Sequence, residues 1–86
     1  MKLEIRVFIE DWCATCQKVQ PGLTNLENKY NKQLSWQNLN IDQHGDANGV
    51  SAVPTVIFVK DGVELERMVG ERPGFLYEET ILKYLV

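Results

Sequence analysis

The sequence predicts an α/β domain built on a small mixed sheet. Three observations carry this. Segments of two-residue apolar period alternate with segments of helical period, one strand-like run is apolar on both faces, and a Lys-Asp-Gly triplet joins two strand-like segments. The chain has 86 residues, enough for one core and little more, so 1–86 is read as a single domain.

The elements follow in order. LEIRVFI, residues 3–9, alternates. Leu3, Ile5, Val7 and Ile9 take one face of a strand, and Glu4, Arg6 and Phe8 the other. Cys16, Val19, Leu23, Leu26 and Tyr30 then recur at helical spacing, with Pro21 and Gly22 expected to kink the helix. LSWQNLNID, residues 34–42, reads as a second strand with Leu39 and Ile41 inward. QHGDANGVSA is turn-rich, with room for one short helical turn. PTVIFVK, residues 54–60, is apolar on both faces and therefore central. Asp61-Gly62 supplies the positive φ angles of a tight hairpin, and VELERMV is the partner strand, ended by Gly70. GFLYEETILKYLV closes the chain as a helix with Phe75, Leu82 and Leu85 inward. The order β-α-β-β-β-α implies two parallel strands joined by a right-handed crossover, then an antiparallel hairpin.

Composition narrows the function. The net charge is −3 with scattered acids, so nothing points to nucleic acid or an anionic membrane surface. The longest apolar run, Val56 to Val59, is too short to span a bilayer. MKLEIRVF carries charges where a signal peptide would be apolar, so a cytoplasmic protein is expected. There a stable structural disulfide is unusual.

Both cysteines fall in one stretch, EDWCATCQKVQ, residues 10–20. A Cys-x-x-Cys that follows a strand and opens a helix has a physical logic. Cys13 at the helix N-terminus is favoured as a thiolate by unpaired N–H groups and the helix dipole, while Glu10 and Asp11 oppose it. Cys16, one turn on, can attack a mixed disulfide at Cys13. The pair then cycles between dithiol and disulfide.

Here the chain resembles the thioredoxin family. WCATC, residues 12–16, is similar to that family's Trp-Cys-x-x-Cys site, and Pro21 to the proline that follows it. VPTVIFVKDG, residues 53–62, is similar to its cis-proline, central strand and hairpin; LNID and Val69-Gly70 match further landmarks. The resemblance implies a thioredoxin-like fold with a four-stranded mixed sheet, lacking the N-terminal β-α unit of standard thioredoxins. It implies a thiol–disulfide oxidoreductase that reduces protein disulfides, with Cys13 and Cys16 as the catalytic pair. It implies a cis bond at Val53-Pro54, and a docking surface made by Trp12, the backbone around Val53 and Pro54, and Gly70. No metal or organic cofactor is implied. The expected partners are disulfide-containing proteins and an electron donor, a thioredoxin reductase or glutathione, acting on a monomer.

Three departures stand out. Without the N-terminal unit, strand 35–42 becomes a sheet edge, and Glu4, Arg6, Asn38 and Asn40 are polar where the missing helix would pack. Val7 stands where the family has a buried aspartate, and Asn38 where a lysine often pairs with it. Ala14-Thr15 replaces Gly-Pro, and Thr15 can hydrogen-bond a sulfur. The alternatives are a glutaredoxin-like protein linked to glutathione, although that family's active-site tyrosine is absent, a metal-bridged dimer with His44 as the only other soft ligand, and a redox-inert binding module.

Overall fold

A computed structural model describes residues 2–85. The order is β1 (Leu3–Phe8), α1 (Ala14–Lys29), β2 (Leu34–Leu39), α2 (Ile41–Asn48), β3 (Thr55–Lys60), β4 (Val63–Val69) and α3 (Gly74–Tyr84). Val86, at the end of the expected closing helix, lies outside the described residues. The strands form one sheet in the order β2-β1-β3-β4. β1 runs parallel to β2 and antiparallel to β3, and β3 pairs antiparallel with β4. β2 is therefore an edge and β3 is interior, as the polar and apolar patterns imply. Asp61 (φ 54°) and Gly62 (φ 78°) make the β3–β4 turn.

One face of the sheet carries two helices. Leu3, Ile5 and Val7 of β1 and Val56 and Phe58 of β3 pack there against Val19, Leu23 and Leu26 of α1 and Tyr77 and Ile81 of α3. The C-terminal end of α1 is also clamped to the middle of α3. Lys29 Nζ and Tyr30 Oη both donate to Glu78 Oε2 at 2.6 Å, which holds the Glu78 carboxyl below its usual range. α1 passes through Pro21 without a break. The closing helix does not turn the expected face inward. Phe75 and Leu82 are exposed, and Tyr77, Thr80 and Ile81 are buried. Nearly every turn of α3 offers an apolar side chain on two stripes, so spacing alone did not choose between them; α1 did, by packing on the Tyr77–Ile81 stripe. Leu85 packs at the edge of this core, as expected.

The opposite face is covered by α2, where a single helical turn was expected. β2 ends at Leu39, two residues short of Ile41, which starts the helix. Phe8, Ile57 and Val59 pack here against Val50, Leu39, Ile41 and Val53. The helix has only Ile41 and Ala47 as apolar residues and a central glycine, so its sequence is a weak helix signal. Its ends supply what its composition lacks. Asn40 Oδ1 accepts from Asp42 N and Gln43 N, and Glu10 Oε1 accepts from Ile41 N at 2.8 Å. At the other end Gly49 takes the left-handed conformation (φ 66°), and the Arg67 guanidinium donates to the carbonyls of Asn48 and Gly49. Arg6 bonds Glu4 and Asn48 Oδ1 beside it.

The register also relocates Asn38. It pairs with Val7 and receives the Trp36 indole N–H, so it lies on the α1 side rather than on the α2 face where its polarity was expected to place it. Asn40 is a helix cap rather than a strand residue. Of the four polar positions, Glu4 and Arg6 remain on the α2 face.

Candidate functional site

The site begins where β1 ends. Cys13 N donates to Glu10 O at 3.2 Å, which turns the chain, and Cys13 becomes the N-cap of α1 in extended conformation (φ −96°, ψ 110°). Most N-caps present an oxygen; this one presents a sulfur. Cys13 Sγ accepts from Cys16 N at 3.2 Å, and Thr15 Oγ1 lies 3.3 Å from the same sulfur. The first turn of α1 holds no acid. An N–H, a hydroxyl and the helix dipole thus all converge on Cys13 Sγ. Those groups stabilise a negative sulfur once the disulfide opens.

Cys13 and Cys16 are joined as a disulfide, with Cα atoms 5.2 Å apart. Their exposures differ in a way that assigns roles. Cys13 retains 7% of its surface and Cys16 none. Of the two residues, Cys13 alone keeps accessible surface. No carboxylate hydrogen-bonds Cys16 among the described residues, and Val7 is buried in the apolar core. A proton leaving Cys16 therefore has no built-in side-chain acceptor in the aspartate's position.

Val53 and Pro54 sit across from the pair. The Val53-Pro54 bond is cis, and Val53 O lies 3.9 Å from Cys13 Sγ. Val53 precedes Thr55, the first residue of β3 and the partner of Phe8 at the end of β1, so it lies beyond that ladder. Gly70 N donates to Pro54 O at 2.7 Å, which brings Gly70 (φ 88°) to the same edge. The Pro54 ring is fully buried. Trp12 is 73% exposed beside Cys13 in the chain, and no hydrogen bond ties it to Val53 or Gly70. His44 is exposed on α2. Among the described residues no three His, Cys, Asp or Glu side chains cluster as a metal site.

The family model for thioredoxin matches residues 2–83. The chain belongs to the thioredoxin family. It is 39% identical to the thioredoxin of Chlamydia caviae over 66 residues, 73% of this chain and 64% of that protein. It is 33% identical to thioredoxin-1 of Saccharomyces cerevisiae over 76 residues, 85% of this chain and 73% of the relative. The X-ray structure of Fasciola hepatica thioredoxin superposes with a TM-score of 0.87 at 26% identity, covering 96% of this chain and 81% of that one. The match thus spans just under two thirds of the Chlamydia protein. Thioredoxin-family membership and the Cys13–Cys16 pair together support thiol–disulfide oxidoreductase chemistry.

Sequence reasoning missed Glu10. It counted the carboxylate as a charge opposing the Cys13 thiolate, yet that carboxylate is bound to the N-terminus of α2, while the same residue's carbonyl fixes Cys13. No local pattern signals this, because its partner is 31 residues away. Glu10→Ala is expected to lower stability by about 1 kcal/mol, the usual cost of a lost cap, measured by urea denaturation. A loss indistinguishable from zero would show that water replaces the carboxylate freely.

Proposed function

We propose that this protein is a single-domain, monomeric protein-disulfide reductase of the cytoplasm, working through Cys13 and Cys16. The observation that carries the reading is the asymmetry of the two sulfurs: one sits on a helix N-terminus at the surface, the other is sealed one turn below. In the reducing direction the Cys13 thiolate attacks one sulfur of a substrate disulfide. The substrate S–S bond breaks, a mixed disulfide forms, and the first substrate thiolate leaves and takes up a proton. Cys16 then loses its proton and attacks Cys13 Sγ. The second substrate thiolate leaves, the Cys13–Cys16 bond closes, and two electrons have passed to the substrate.

The Val53 backbone and Gly70, with the exposed Trp12 indole, form the surface proposed to receive an extended substrate segment, with Pro54 buried behind them. Supporting this, Val53 O lies against Cys13 Sγ and Gly70 is tied to Pro54. The cycle closes when a thioredoxin reductase, or glutathione, reduces the Cys13–Cys16 bond. A reducing compartment suits that supply. Among the described residues no helix is long and apolar enough to cross a membrane.

The test is reduction of insulin, followed by precipitation of its freed B chain. One sample receives NADPH and a thioredoxin reductase, and another receives glutathione with its reductase. Turnover driven by thioredoxin reductase is the expected result. Turnover with glutathione alone assigns the glutaredoxin-like role, and reduction in neither sample contradicts the proposal.

A further inference from the structure

The two edges of the sheet are built differently. The strand order places β2 at one edge and β4 at the other. β4 carries Glu64, Glu66 and Arg67, and its pairing with β3 is interrupted by a register shift at Phe58/Val59. Charges and irregular pairing of this kind keep an edge from accepting another strand. β2, LSWQNL, has neither. It contains no charged residue and no proline, and its six residues pair with β1 in unbroken register. Ser35, Gln37 and Asn38 are exposed. On its outer side β2 has no strand neighbour, so the N–H and C=O groups that point outward are open to one.

The flanks of β2 decide which strand fits. Lys32 precedes it and Asp42 follows it, both exposed, and neither forms an ion pair among the described residues. A second copy of β2, laid antiparallel about a two-fold axis at Gln37, opposes Trp36 with Asn38, Ser35 with Leu39 and Lys32 with Asp42. Trp36 and Asn38 share the α1 side of the sheet, and Ser35 and Leu39 share the α2 side, so both faces continue across the join. Unlike charges meet at each end of the pairing. A parallel copy would bring Lys32 to Lys32 instead.

We propose that two copies of this chain associate through β2, joining their sheets into one with Gln37 on the axis. The contact is a single strand pair flanked by exposed ion pairs, so it is weak and forms at high protein concentration. The redox edge stays open in both copies, because Val53, Pro54 and Gly70 lie on the β3–β4 side of β1, away from β2. One chain remains the catalytic unit, and at assay dilution it is the monomer of the reading above. The inference goes beyond that reading and does not rest on it.

Sedimentation velocity from about 10 μM to about 1 mM, the range in which a small interface associates, should show the mass rising from one chain toward two. Over the same range the backbone amide signals of residues 35–39 should shift in NMR spectra, while those of β4 stay fixed. Gln37→Lys sets two lysines against each other on the axis and should abolish the dimer, whereas Leu65→Lys on the β4 edge should not. Lys32→Asp should weaken association, and the double variant Lys32→Asp/Asp42→Lys, which exchanges the two charges, should restore it. Thermal melts confirm that the variants are folded. A chain that stays single at the highest concentration overturns the proposal. So does a dimer that survives Gln37→Lys, shifts signals outside β2, or is not restored by the charge exchange.

Discussion

Cys16→Ser is expected to hold a substrate protein as a stable mixed disulfide, while Cys13→Ser forms no adduct. Both lose turnover to background. The difference follows from burial. In Cys16→Ser Cys13, the one of the two that keeps any accessible surface, still attacks, but the sulfur that should displace the substrate is gone. In Cys13→Ser the remaining thiol is sealed beneath the helix N-terminus, out of reach of a protein disulfide. Mass spectrometry under non-reducing conditions reads the adduct as the summed mass of the two chains. Adduct on Cys13→Ser and none on Cys16→Ser would reverse the assigned roles.

The second large effect is expected far from the sulfurs, at Gly45. Replacing a mid-helix glycine by alanine ordinarily gains about 1 kcal/mol. Here it should cost. A Cβ on Gly45 would stand 2.7 Å from Val50 O and 2.9 Å from Ile41 Cγ1. The first of these is backbone, and Val50 is fixed by its own N–H donating to Gly45 O at 2.8 Å and by packing under the sheet. Relief requires α2 to lift from Phe8 and Ile57. Such overpacking costs about 1–3 kcal/mol. In a domain of this size each kcal/mol lowers Tm by roughly 4–8 °C. Gly22→Ala on α1 is the control: a Cβ there meets nothing within 4 Å, and the ordinary gain should appear. Calorimetry on the two variants decides. Stabilisation of both would show that α2 is not held against Val50.

These two sites mark what the chain discloses locally and what it does not. The redox pair was legible because strand, cysteine spacing and helical stripe all lie within residues 3–30, and Asp61-Gly62 announced its hairpin because its signal is equally local. Thr15 was legible as a sulfur partner because it sits between the cysteines. α2 was not legible. Its Gly45 reads as a breaker, but Val50 requires it, and the helix depends on Glu10 and Arg67, which are remote in the chain. The face of α3 was misassigned because its apolar residues surround the helix, and only the position of α1 selects Tyr77 and Ile81. Asn38 fits one face by pattern and another by register; pairing with Val7 decides it.

The residues proposed for the redox site all lie within the four-stranded sheet, its helices and the segments joining them. The cysteines sit at the junction of β1 and α1, and Val53, Pro54 and Gly70 meet them from the opposite strand ends. On the α2 face, Arg6 and Arg67 bind the C-terminal end of α2, so part of the sheet that a second helix would cover is closed by ion pairs and carbonyl bonds. These pairs are partly exposed, and salt should weaken them.

The measurement that tests the central claim most directly is thiol trapping with mass spectrometry after equilibration in dithiothreitol buffers of graded potential. The account predicts one two-electron transition confined to Cys13 and Cys16, near the thioredoxin value of about −270 mV. A pair that shows no transition across the series, with both thiols alkylated throughout or neither, would contradict it.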